Sequence, residues 1–135
     1  MTILSIYAPT LTSDDSSKDC FYAALRSTLG SIPLSDKIVL LGDFIARVGT
    51  NSHVWKGVIG KHGVGNNNSI GLCLLNLCVK FDLVITNTHF QQRNQLRTTW
   101  KHPRSKRWHL LDYVIVRRAE ERDVRITRVM RGAQC

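Results

Sequence analysis

The run KIVLLG, residues 37–42, constrains the fold more than any other stretch of this chain. Its apolar, β-branched residues do not alternate with polar ones, which is the pattern of a strand buried on both faces. A single acid, Asp43, ends it. Layered α/β proteins place catalytic groups at strand ends, where a rigid scaffold holds a side chain at the mouth of a crevice. A carboxylate there can hold a hard cation or activate a water. Gly-Asp is also an ordinary turn, so the pair decides little by itself.

The elements around this strand set the fold class. TILSIY (2–7) reads as a strand that Pro9 ends. DDSS (14–17) offers N-caps for a helix running to about Leu29, with Phe21, Ala24, Leu25, Thr28 and Leu29 as its apolar stripe. Residues 44–67 are rich in Gly, Asn and His and read as a long functional loop. From Asn68 to Phe81, Ile70, Leu74, Leu77 and Phe81 recur at helical spacing. LVITNT (83–88), LRTTW (96–100), WHLLDYVIV (108–116) and DVRITRVM (123–130) read as strands, and KHPRSK (101–106) as a basic turn. This order predicts an α/β layered domain whose late strands are antiparallel. No repeat, low-complexity tract or linker divides the 135 residues, so one domain is expected over 1–135.

Charge is concentrated at one end. Residues 1–90 hold 7 Lys/Arg against 6 Asp/Glu, whereas residues 91–135 hold 12 against 4. Such a basic third points to a polyanionic partner, nucleic acid first, because neutralising phosphates releases counterions. A solvated basic face is the plainer alternative. No apolar run reaches the roughly 18 residues of a membrane span, and no basic segment precedes an apolar one at the N-terminus. Cys20, Cys73, Cys78 and Cys135 form no C-x-x-C pair, and the five histidines complete no zinc pattern. Reduced thiols and an intracellular setting, nuclear or cytoplasmic, are expected, with Cys73 and Cys78 buried in the second helix.

Further candidates stand beside Asp43. Asp112 interrupts the apolar LLDYVIV, where a carboxylate is rare unless paired or functional. By alternation it shares a face with Leu110 and Val114, and either Asp112 or Tyr113 must point inward. Tyr7 closes the first strand, where a phenol can donate to a phosphate oxygen. Trp100 and Trp108 bracket Lys101, Arg104, Lys106 and Arg107. Aromatics interleaved with cations can stack on bases or enter a groove; two core tryptophans flanking a surface hairpin is the competing reading.

Taken together, IYAPT (6–10), LLGDF-x-A (40–46), GLCLLNLC (71–78) and TWKHPRSKRWHLLDYVIVRR (99–118) resemble the endonuclease/exonuclease/phosphatase superfamily, nearest the apurinic-type endonuclease domain of non-LTR retrotransposons. The resemblance implies a four-layer α/β/β/α sandwich with two packed sheets, here in part and truncated at both ends. It implies Mg²⁺-dependent phosphodiester cleavage, a DNA partner, no membrane and no obligate protein partner. By that resemblance Tyr7 contacts the scissile phosphate and Asp43 positions or deprotonates the attacking water. Asp112 orients a catalytic histidine, and Asn68 lies at the edge of the site. Trp100, Lys101, Arg104, Lys106, Arg107 and Trp108 fall on the DNA-facing hairpin. NTHF (87–90) is similar to a phosphate-contacting NTHL strand of other branches, but it follows GDF where that strand precedes it. Tyr7 takes the equivalent slot, and His89 is expected to be a plain strand residue.

Two departures shape the functional expectation. The family motif is GDFN, and Ile45 stands in place of its Asn. Asparagine offers a donor and an acceptor; isoleucine offers neither. The metal-binding Asn and Glu of the family's early strands, and its late Asp-His pair, have no counterpart in the sequence. A catalytically impaired fragment of a metal-dependent endonuclease domain, with no complete metal site, is therefore expected. The alternative is a non-catalytic nucleic-acid binder using residues 91–135. An active phosphoesterase for lipid or nucleotide phosphates fits the basic HPRS hairpin poorly.

Overall fold

A computed structural model describes residues 1–10, 12–93, 96 and 98–129, with only the backbone at Trp108. Strand β1 (Thr2–Tyr7) leads to helix α1 (Asp15–Ser31) and strand β2 (Ile38–Asp43). A short ribbon follows, β3 (Val48–Gly49) with β4 (Val64–Asn67), inside the stretch expected to be loop alone. Helix α2 (Ser69–Phe81) and strand β5 (Leu83–Ile85) come next, then the hairpin β6 (Trp100–Lys101) and β7 (Trp108–His109). Strand β8 (Asp112–Arg117) runs into a 3₁₀ turn, Arg118–Asp123. The main sheet has the order β1-β2-β8-β5. β1 and β2 are parallel, and β8 is antiparallel to both β2 and β5, so the expected α/β class with mixed and antiparallel sheets holds. Among the described residues no helix is long and apolar enough to cross a membrane.

Both helices start on side-chain caps. Asp14 accepts from the N–H of Ser17 at 2.7 Å, and Asn68 accepts from that of Gly71 at 2.7 Å. Each satisfies a donor that the first turn leaves without a partner. α1 buries Tyr22, Leu25 and Leu29, whereas Ala24 and Thr28 of the expected stripe are exposed. α2 buries Ile70, Leu74, Leu75, Leu77 and Cys78; Cys73 is exposed, not buried as its helical setting suggested. These side chains meet Leu40, Tyr113, Ile115, Leu83 and Ile85 from the sheet to form the core.

Four expected strands are shorter or missing. LVITNT is a strand only to Ile85, and Thr86–Thr88 form a 3₁₀ turn. There the hydroxyls of Thr86 and Thr88 donate to the carbonyls of Val114 and Ile85 instead of leaving the backbone to a ladder. WHLLDYVIV breaks at Leu110–Leu111, because the Leu111 N–H donates to Thr99 Oγ1 and its carbonyl accepts from Phe44. Residues 118–129 contain a 3₁₀ turn and then irregular chain; Met130 lies outside the described residues. Of LRTTW, only Trp100 is in a strand, and Arg97 lies outside the described residues.

The second face of the sheet departs most from expectation. Ile38 and Leu40 of β2 are buried, but Leu41 on the opposite side is 38 % exposed, and Ile3 of β1, on that same side opposite Val39, is 56 % exposed. Val39 and Val114 on this face are only half-buried. Only towards β5, where Val84 and Val116 are buried, is this face covered. An open apolar face beside the edge strand β1 is a template for association. The double variant Ile3→Thr/Leu41→Thr should therefore stay monomeric at concentrations where the parent self-associates, as read by light scattering. Its unfolding free energy should stay within about 1 kcal/mol of the parent's, since neither side chain is in the core.

Candidate functional site

Strand register brings the three predicted chemical residues together. Tyr7 lies opposite Asp43 in the parallel β1–β2 pair, and Asp43 lies opposite Asp112 in the antiparallel β2–β8 pair. They form one row at one end of the sheet, on its open face. Tyr113 takes the inward alternative and is 2 % exposed, which leaves Asp112 half-buried on the other side. Gly42 permits the row. A Cβ at this position would lie 2.0 Å from the carbonyl oxygen of Ile6, and its φ of +141° disfavours any side chain.

The carboxylates differ in their bonding. Asp43 Oδ1 accepts the N–H of Ile45 at 2.9 Å, a turn that fixes the acid. Burial raises its affinity for a proton, and the charge of Asp112 adds to this, against the pull of the Ile45 N–H. The Asp112 carboxylate makes no hydrogen bond or ion pair among the described residues, so the histidine that the resemblance assigns to it is not in place there. Tyr7 is 80 % exposed, and its hydroxyl can reach a ligand.

Residues 44–48 form the floor next to this row. Ile45 has φ +48°, the left-handed region, which is a genuine outlier for a β-branched residue and one that Asn enters far more readily. The loop is pinned from three sides. The Tyr113 hydroxyl lies 2.8 Å from the Ala46 carbonyl and 2.9 Å from that of Leu110 and shares its proton between them. The Phe44 N–H donates to the Leu111 carbonyl, and Asn68 Oδ1 accepts from the Arg47 N–H at 3.1 Å. Asn68 thus joins the α2 cap to the loop, and its Nδ2 is buried with no partner.

Asp43, Ile45, Arg47 and Asn68 line one side of a cavity of about 840 Å³, and the β6–β7 hairpin lines the other with Trp100, His102, Arg107 and His109. The hairpin loop is built by its own sequence. His102 Nδ1 accepts the N–H groups of Arg104 and Ser105, and the His102 and Lys106 backbones bond across the turn. Lys106 takes φ +60° at its tip. Lys101, Arg104, Lys106 and Arg107 are all exposed, and Trp100 is 42 % exposed, so it is no core tryptophan. The Trp108 side chain lies outside what is described.

Sequence reasoning missed the rings around Trp100. Its ring stacks on His109 at 27° with centroids 6.0 Å apart, and meets His102 edge-on at 5.4 Å. Burial and the nearby charges of Arg47, His102 and Arg107 push the His109 imidazole below its ordinary value. The signal was the hairpin register, which sets Trp100 opposite His109. His89 is neither a strand residue nor in this site. It ends the 86–88 turn, and its Nδ1 lies 3.2 Å from Glu121.

Magnesium prefers several oxygen ligands in near-octahedral geometry. Asp43 and Asp112 supply two carboxylates, one of them already engaged by Ile45 N–H, and Ile45 supplies none. Among the described residues no three His, Cys, Asp or Glu side chains gather to hold a metal. The described residues thus offer two carboxylates side by side, a number from which magnesium is bound when water and phosphate oxygens complete its shell.

No family model matches the chain. It is 33% identical over all 135 residues to craniofacial development protein 2 of Bos taurus, and 32% identical to that of Tragulus javanicus. The match covers 100% of this chain but 22% and 23% of those two proteins, so the chain spans under a quarter of the length of the curated relatives it matches.

The row and its floor each set an expectation for stability. Ile45→Asn should raise the unfolding free energy by about 0.5–1 kcal/mol, because the backbone keeps its left-handed turn without the β-branched clash. A chemical denaturation midpoint that falls would show that the apolar packing of Ile45 outweighs the strain. Asp43 has a raised folded-state pKa, so it favours folding at acid pH and loses that contribution as pH rises through the raised value. Asp43→Asn should thus stabilise the protein at neutral pH, by less than about 1 kcal/mol because solvent screens a half-exposed pair. The gain should vanish below the ordinary aspartate range, as read by melts from acid to neutral pH.

Proposed function

We propose that this chain is the phosphate-facing part of a DNA endonuclease domain of the endonuclease/exonuclease/phosphatase type, able to bind duplex DNA and impaired in cutting it. The observation that carries this is the single row Tyr7–Asp43–Asp112 beside a cavity walled by a basic hairpin. A phosphodiester laid across the row would meet a phenol donor at Tyr7 and a fixed carboxylate at Asp43. Arg107 and Arg47 would face its charge from the cavity side. Asp43, with its raised proton affinity, suits the task of aligning and deprotonating a water.

The same residues support weak cleavage. The resemblance assigns Mg²⁺ as the ion that stabilises charge on the phosphate, and among the described residues Asp43 and Asp112 have no third acidic or imidazole side chain gathered with them. Ile45 offers nothing to water or phosphate where the family motif has an amide. Loss of one such group costs orders of magnitude in rate, about 1.4 kcal/mol for each tenfold. A non-catalytic nucleic-acid binder is the second reading, favoured by Ile45, which brings neither donor nor acceptor to the site.

Salt-dependent gel shifts with duplex DNA test the binding. Arg104→Ala/Arg107→Ala should weaken it and make the log–log salt slope shallower by about 0.9 for each phosphate that is no longer neutralised. No shift by the parent chain at low salt would remove the nucleic-acid reading altogether. Plasmid nicking in Mg²⁺ tests the chemistry: little or no EDTA-sensitive nicking is expected. Robust nicking by pure protein, abolished in Asp43→Asn, would overturn the claim of impairment.

A further inference from the structure

The hairpin holds only four of the basic residues of the C-terminal third. Five more lie between residues 117 and 128 and divide by partner. Arg117 is buried and donates to the carbonyls of Asp36 and Pro33, and Arg118 pairs with Asp82 at 2.8 Å. The acids of the 118–123 turn are likewise taken. Glu120 and Asp123 both reach Lys37, at 3.7 and 3.0 Å, and Glu121 faces His89. Arg122, Arg125 and Arg128 remain exposed, and none has an acidic partner among the described residues.

These three are held in place and not on a loose tail. The Thr127 hydroxyl bonds to that of Thr86 at 2.8 Å in a buried contact, and the Val129 N–H donates to the Leu96 carbonyl at 2.7 Å. The chain therefore leaves the far end of β8, turns at 118–123 and returns beside β5 towards the root of the hairpin. Leu96 lies four residues before Trp100.

We propose that Arg122, Arg125 and Arg128 form a second phosphate-contacting strip, which extends the DNA footprint from the hairpin down the β5 edge of the sheet. This rests on the reading of the hairpin as DNA-facing. The strip carries charge with no aromatic ring among its three members to stack on bases, so it adds affinity that is independent of sequence.

Fluorescence anisotropy of a short labelled DNA duplex, titrated with the full chain at several salt concentrations, tests it. Arg125→Ala/Arg128→Ala should make the log–log salt slope shallower by about 1.8, the value for two phosphates. Arg125→Lys/Arg128→Lys should keep the parent slope, since charge and not fork geometry is at work. A control that removes two charges from the helical side, Arg26→Ala/Lys80→Ala, should leave the slope unchanged. If the hairpin variant weakens binding while the strip variant keeps the parent slope, the strip is overturned and the hairpin stands. An equal change of slope in the helical-side control overturns it too, as bulk charge alone. Absence of binding by the parent overturns hairpin and strip together.

Discussion

Strand β2 is paired on one side to a parallel neighbour and on the other to an antiparallel one, and the rest of the structure depends on that register. Side chains alternate strictly along a strand, so a one-residue slip would send Asp43 into the core and Leu40 out of it. The penalty for that slip is large because Leu40 is fully buried and Asp43 carries charge. Gly42 lets the two parallel strands approach at this height, since a methyl there would collide with the Ile6 carbonyl. The closeness of Tyr7 to Asp43 is thus a consequence of a missing side chain one residue earlier.

Alternation and capping made much of this legible in the sequence. Asp14 is among the caps that DDSS offered and fills that role, whereas Asn68, read as a residue at the edge of the site, turns out to cap α2. Tyr7 and Asp43 each mark a strand end in the sequence, Asp112 was read inside a strand and opens β8 instead, and register places the three together. What was not legible depends on bonds between distant residues. Nothing local in LVITNT shows that Thr86 will donate to Val114, or that Asn87 will accept from the N–H of that same residue, yet these bonds end β5 early. The apolar KIVLLG run also could not tell a covered face from an open one, because hydrophobicity reports what a strand tolerates and not what packs on it. The ring cluster of Trp100, His102 and His109 needed the hairpin's register before its members could be seen as neighbours.

The left-handed turn at Ile45 belongs to its surroundings and not to its own side chain. The Asp43 carboxylate, the Tyr113 hydroxyl, the Leu111 carbonyl and the Asn68 amide each bond to the backbone of residues 44–47. These four bonds over-determine the conformation, so a poorly suited residue can occupy it at a local cost. This explains how the loop keeps its shape around a residue ill suited to that conformation. Glycine reinforces the same point: a Cβ on Gly71 would collide with the Arg47 carbonyl, so α2 can seat against the loop only through that residue.

Electrostatics separates the two halves of the proposed activity. In the proposed activity the hairpin and the strip would attract a phosphate backbone without help, since their charges lie exposed to solvent. The row does the opposite. Burial raises the proton affinity of Asp43, Asp112 beside it adds to this, and the two carboxylates repel any phosphate brought near them. A cation or a proton must relieve that repulsion before the row can engage a phosphodiester, whereas the basic surface needs neither. Binding is therefore the function that survives most easily in this arrangement, and cleavage is the one that depends on ligands beyond the two carboxylates.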